Sequence, residues 1–107
     1  MNLISREELK KKIDNNDEFK LVMTLSDFAF NAKHIPGSIQ VDNEEKTKKL
    51  LSLEDEIVVY CSGPNCTASI NAYNLLTKAG FTNIRRFAGG LEEWEDAGYP
   101  LEGNSAD

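Results

Sequence analysis

The most constraining feature of the chain is the run Ile57-Val58-Val59-Tyr60, apolar throughout and without the polar alternation of a half-exposed strand. A strand of that kind is covered on both faces, which places it in the middle of a parallel sheet with helices above and below. It leads directly into the loop Cys61-Ser62-Gly63-Pro64-Asn65-Cys66-Thr67 and then into a helical pattern with Ala68, Ala72, Leu75, Leu76 and Ala79 on one face. In open α/β sheets ligands bind beyond the carboxyl ends of the strands, and Cys61 stands at such an end.

The rest of the chain alternates strand and helix in the same way. Ser5-Arg6-Glu7-Glu8 has the spacing of a capping box, with Ile4 and Leu9 set for a hydrophobic staple, and predicts a helix over residues 6–14. Residues 19–24 read as a buried strand, residues 27–32 as a helical turn capped by Ser26, and His34-Ile35-Pro36-Gly37-Ser38 as a loop, since Pro36 has no amide hydrogen and Gly37 tolerates positive φ. A strand over 39–41 and a helix over 43–51 follow, the latter acidic at its start and basic at its end as the helix dipole favours. Strand 56–60, the helix from Ala68 stopped at Gly80-Phe81, strand 83–87 and helix 91–97 complete the order. This pattern implies an α/β fold. At 107 residues the chain reads as one domain over 1–102 with a flexible tail over 103–107.

Composition narrows the function. An apolar fraction of 40% supports a core, and no apolar run approaches the roughly 20 residues that cross a bilayer. The N-terminus has no apolar core followed by a small-residue cleavage site, so the chain reads as cytoplasmic with no membrane partner. A net charge of −6 repels phosphate backbones and argues against nucleic acid. Two cysteines and one histidine cannot form a four-ligand zinc site of Cys and His alone. Nearby thiols in a reducing compartment point instead to redox or sulfur chemistry.

Cys61 is the first candidate for that chemistry. A thiol at the strand end faces the amino end of the following helix, whose unpaired N–H groups favour an anion, so its pKa is expected to fall and its thiolate to be the nucleophile. The competing reading is a small, inert core residue.

Four segments, His34-Ile35-Pro36-Gly37-Ser38-Ile39, Val58-Val59-Tyr60-Cys61, Ala79-Gly80-Phe81-Thr82-Asn83-Ile84 and Ala88-Gly89-Gly90-Leu91-Glu92-Glu93-Trp94 with Ala97-Gly98-Tyr99-Pro100-Leu101-Glu102, carry a further signal in their order and spacing. Through them the chain resembles the rhodanese-like sulfurtransferase domain over nearly its whole length, and its Cys-x4-Cys loop resembles one subgroup of that family. The resemblance implies a central parallel sheet of about five strands flanked by helices on both faces, and Cys61 as the catalytic residue that accepts a sulfane sulfur as a persulfide. The donor would be thiosulfate or a small persulfide, the acceptor a thiol or cyanide, with a partner protein as one possible source of either. The amides of Ser62, Gly63, Asn65, Cys66 and Thr67 are available to hold the anionic sulfur, whereas Pro64 has none to give. Neither metal nor organic cofactor is required, and a monomer is expected.

The chain also departs from the family pattern. Residues 61–69 hold no cationic side chain where rhodanese-like loops often carry arginines, and Met23-Thr24-Leu25 stands where Asp-x-Arg is usual. Cys66 is either a resolving thiol, able to attack the Cys61 persulfide or protect it from overoxidation, or a packing residue. His34 reads as a structural turn residue and not a general base, and Trp94 as a core anchor. Arg85 and Arg86 face opposite sides of a strand, so one can bring positive charge to the site while the other is solvated; the sequence leaves open which. A phosphatase needs an arginine six residues beyond the cysteine, where Thr67 stands. A non-enzymatic regulatory or redox-sensing module using Cys61 and Cys66 is the alternative to the enzyme.

Overall fold

The computed structural model describes residues 1–105. Nine elements alternate along the chain: α1 (Arg6–Asp14), β1 (Lys20–Met23), α2 (Asp27–Ala32), β2 (Ser38–Gln40), α3 (Glu44–Leu50), β3 (Ile57–Tyr60), α4 (Ala68–Lys78), β4 (Ile84–Arg86) and α5 (Gly90–Asp96). The strands form a parallel sheet of four in the order β2-β1-β3-β4. The count is four and not the five expected, because the N-terminal segment meets β4 only through a single bridge between Leu3 and Arg86. Ile4 and Arg86 each donate an amide hydrogen there, to Arg86 and Asn2 respectively, and the chain then turns into α1.

Side-chain alternation along the strands divides the core in two. Leu21, Met23, Val58 and Tyr60 pack with Leu9 of α1, Trp94 of α5 and the half-buried Ala29 and Phe30 of α2 on one face. Val22, Ile57, Val59 and Ile84 pack with Leu76 of α4 and with Leu51, the residue that ends α3, on the other. All four residues of β3 are 0% exposed, which is why no polar alternation was tolerated there.

The helix starts follow local chemistry. The side chains of Ser5, Ser26 and Asn43 accept the amide hydrogens of Glu8, Ala29 and Lys46, capping α1, α2 and α3. The loop after α2 is tied to β3 by Tyr60, whose hydroxyl accepts from the Ile35 amide at 3.0 Å and pairs with Ser38 Oγ at 2.9 Å. Burial in that pocket pushes the phenol up to about 12, so it stays neutral and serves as structure. Residues 103–105, read from the sequence as tail, are held against α2: the amides of Asn104 and Ser105 donate to the carbonyls of Asn31 and Ala32, each at 2.8 Å. Positions 106 and 107 lie outside the described residues. Among those described, no helix is long and apolar enough to cross a membrane.

Candidate active site

Cys61 follows the last residue of β3, at the carboxyl end of the sheet, and is 1% exposed. Pro64 suits the second position of a turn, and the Cys66 amide closes that turn by donating to the Gly63 carbonyl at 3.1 Å. The Cys66 amide is therefore engaged within the loop and does not join the other loop amides as an open donor for a sulfur anion.

The other side of the loop is fastened to α5. Leu91 and Glu92 donate their amide hydrogens to the carbonyls of Cys61 and Ser62, each at 2.9 Å. This approach requires Gly90: its φ is +62°, and a Cβ there would sit 2.4 Å from the Cys61 carbonyl oxygen. Gly90 thus has a direct physical role in shaping the cysteine loop.

The Cys61 sulfur lies 3.3 Å from Ser69 Oγ and 3.5 Å from the Cys66 carbonyl oxygen. Its surroundings are polar despite the burial. The expected fall in its pKa is not what the geometry produces: burial pushes the Cys61 thiol up, hydrogen bonding to Cys66 adds to this, and the hydroxyl and amide of Ser69 only partly oppose it. A carbonyl oxygen near the sulfur favours the form that carries a proton. Cys66 shows the reverse. Its partial burial works against ionisation, but hydrogen bonds from the Cys61 thiol, the Ser62 and Ala68 amides and the Ser62 hydroxyl outweigh that and bring it down to about 7. The donors of the loop and of the α4 start thus act mainly on the second sulfur. Both thiols are free, Cys66 being partly exposed.

Behind Ser69 stands Arg86, which donates from Nε to Ser69 Oγ at 2.8 Å. Ser69 is 1% and Arg86 7% exposed, and among the described residues Arg86 pairs with no carboxylate. Arg85 points the other way, with Nη2 2.8 Å from Glu8 and 3.1 Å from the Leu3 carbonyl. The open question between the two arginines is thereby answered. Strand alternation alone gave no answer, because Ile84 and Phe87 are both buried yet have opposite parity. Ser69 was not singled out from the sequence; its only signal is a hydroxyl at the start of the helix that the cysteine loop feeds.

Several other candidates lie apart from the sulfurs. His34 stacks on Phe30 with ring centroids 3.9 Å apart, meets the Phe30 carbonyl through Nδ1 at 2.7 Å and approaches Glu102 at 3.4 Å, all structural contacts. Trp94 is 0% exposed and donates to the Pro100 carbonyl at 2.8 Å. A cavity of about 630 Å³ between α3 and α4 is lined by Val22, Val41, Leu75 and Leu76 among others and by neither cysteine. Among the described residues no three His, Cys, Asp or Glu side chains are grouped to hold a metal.

Comparison with known proteins bears on the family and the fold. Residues 5–97 match the family description "Rhodanese-like domain". The chain is 32% identical over 101 residues to an HTH-type transcriptional regulator of Mycobacterium tuberculosis, covering 92% of this chain but 44% of that protein. It thus spans less than half the length of that relative. It is 34% identical over 76 residues to the thiosulfate sulfurtransferase GlpE of Pseudomonas syringae pv. syringae, covering 69% of each. The solution structure of the rhodanese-like domain from an Anabaena protein superposes with a TM-score of 0.85 at 27% identity, covering 98% of this chain and 81% of that one. With its parallel sheet, its Cys61 loop and a family match across residues 5–97, this chain belongs to the rhodanese-like domain family.

Proposed function

We propose that the domain transfers sulfane sulfur through a persulfide on Cys61. The observation that supports this most directly is a pair of free thiols in the loop at the carboxyl end of the central strand, with the Cys61 sulfur 3.5 Å from the Cys66 carbonyl and 3.3 Å from Ser69 Oγ. The likeness to a thiosulfate sulfurtransferase supports the same reaction class.

In this reading Cys61 gives up its proton to solvent as the donor engages, and the Cys61 thiolate attacks the outer sulfur of the donor. The donor's S–S bond breaks and its electron pair leaves with the remainder, sulfite where thiosulfate is the donor. An acceptor thiolate or cyanide then attacks the outer sulfur of the Cys61 persulfide, and the electron pair returns to Cys61. Cys66 provides a second exit: its thiolate attacks Cys61 Sγ, hydrosulfide leaves, and the resulting disulfide is reopened by an external thiol. No metal enters any step.

Incubation with thiosulfate or glutathione persulfide, followed by transfer to cyanide, tests the proposal. Wild type is expected to turn over, Cys61→Ser to lose all transfer, and Cys66→Ser to take up sulfur without releasing sulfide. Full transfer by Cys61→Ser would contradict it.

The alternative, a redox-sensing module, draws support from the burial of Cys61 and from the transcriptional regulator among the relatives. It predicts a Cys61–Cys66 disulfide on treatment with peroxide and no uptake of sulfur from any donor.

A further inference from the structure

We propose that Arg86 is a positioning residue for the sulfur of Cys61: one hydroxyl away, it holds Ser69 Oγ beside Sγ, where the hydroxyl can donate to the thiolate, and supplies the cation that the cysteine loop lacks. The inference rests on the sulfur-transfer reading of Cys61 and assigns the source of positive charge for that step.

The hydrogen-bond directions carry it. Arg86 Nε is a donor only, so the 2.8 Å contact occupies an acceptor position of Ser69 Oγ. Ser69 Oγ keeps a second lone pair, which faces the Cys61 thiol as donor at 3.3 Å, and its own proton, which is the group placed to donate to the sulfur once the thiol proton is gone. In the thiol form the Cys61 S–H faces two oxygen acceptors, Ser69 Oγ and the Cys66 carbonyl, the latter 3.5 Å from the sulfur. When Cys61 loses its proton, the contact with the carbonyl turns repulsive while the one with Ser69 strengthens as a charge-assisted bond. Arg86 therefore favours the reactive ionised form and opposes the carbonyl that holds the thiol protonated.

Burial makes this arrangement consequential. Arg86, Ser69 and Cys61 are 7%, 1% and 1% exposed, so the interaction is weakly screened. A buried guanidinium is normally matched by a carboxylate, yet among the described residues Arg86 pairs with none. The anion it suits is the one that forms on Cys61 during the reaction. The other groups facing the loop are Cys66 itself and, on α5, Glu92, whose carboxylate lies against Gly63. Both are negative when ionised, and residues 61–69 hold no basic side chain to offset them.

The test reads the thiol itself, independently of any sulfur transfer. In a Cys66→Ser background with isotope-labelled cysteine, NMR titration gives the Cys61 midpoint directly. Arg86→Gln is expected to raise that midpoint by about one pH unit, Arg86→Lys by less, and Ser69→Ala by about as much as Arg86→Gln. The double variant is expected to add little beyond either single change. An unmoved midpoint in a folded Arg86→Gln protein overturns the proposal, as do fully additive shifts. If Arg86 variants fail to fold, Ser69→Ala decides alone, with an unchanged midpoint counting against the proposal. A raised midpoint in a protein that takes up no sulfur upholds the positioning role while removing the transfer reading.

Discussion

At the residue scale the two cysteines divide their roles by environment. Cys61 is enclosed and held toward its protonated form, while the partly exposed Cys66 is brought down to about 7 by hydrogen bonds that include the Cys61 thiol. Alkylation of wild type with iodoacetamide is therefore expected to modify Cys66 first. Its rate should rise through a midpoint near 7, below the roughly 8.5 of an ordinary thiol, and fall again as acid restores the proton. Cys61→Ala removes the donor and should move that midpoint upward; peptide mapping of the alkylated protein across pH checks both points. By linkage, the lowered value means that Cys66 ionisation adds stability above the unfolded thiol's pKa and loses it as pH falls through about 7. The stability difference between wild type and Cys66→Ser should accordingly grow as pH rises from 6 through the Cys66 midpoint in denaturant titrations.

At the element scale the α5 start sets the shape of the site. Its first amides take the carbonyls of Cys61 and Ser62, and only a glycine at position 90 permits that approach. Gly90→Ala places a methyl in the loop backbone at positive φ and is expected to cost at least about 2 kcal/mol, with loss of sulfur uptake, both measurable on one purified variant. Capping behaves more simply. Asn43→Ala should cost about 1 kcal/mol, because α3 buries no side chain and depends on its cap. Most elements were legible from local chemistry: the boundaries of α1 and α2 match their caps and turn residues, and β3 matches its unbroken apolar run. What local chemistry could not give was direction in space. The assignment of Arg86 to the site depends on β4 lying beside β3 with the α4 start above it, and the raised pKa of Cys61 depends on how deeply the loop sinks under α5.

At the scale of the whole molecule, a small sheet covered on both faces leaves little spare stability. Trp94, fully buried between Phe87 and Tyr99, anchors α5 to the sheet. Trp94→Ala is expected to cost about 3 to 5 kcal/mol, a large part of the total for a domain of this size, and to lower the thermal midpoint accordingly in calorimetry. The fold class and the position of the cysteine loop follow from strand and helix alternation, and the structure changed the strand count and tied residues 103–105 to α2. The chemistry of the loop was less accessible, because the charge that serves it comes from another strand. The most direct test of the account is mass spectrometry of wild type after exposure to a sulfane donor, with the added sulfur located by peptide mapping. The account predicts one extra sulfur, carried on Cys61 and absent from Cys61→Ser; sulfur found on Cys66 alone, or equal uptake by Cys61→Ser, would contradict it.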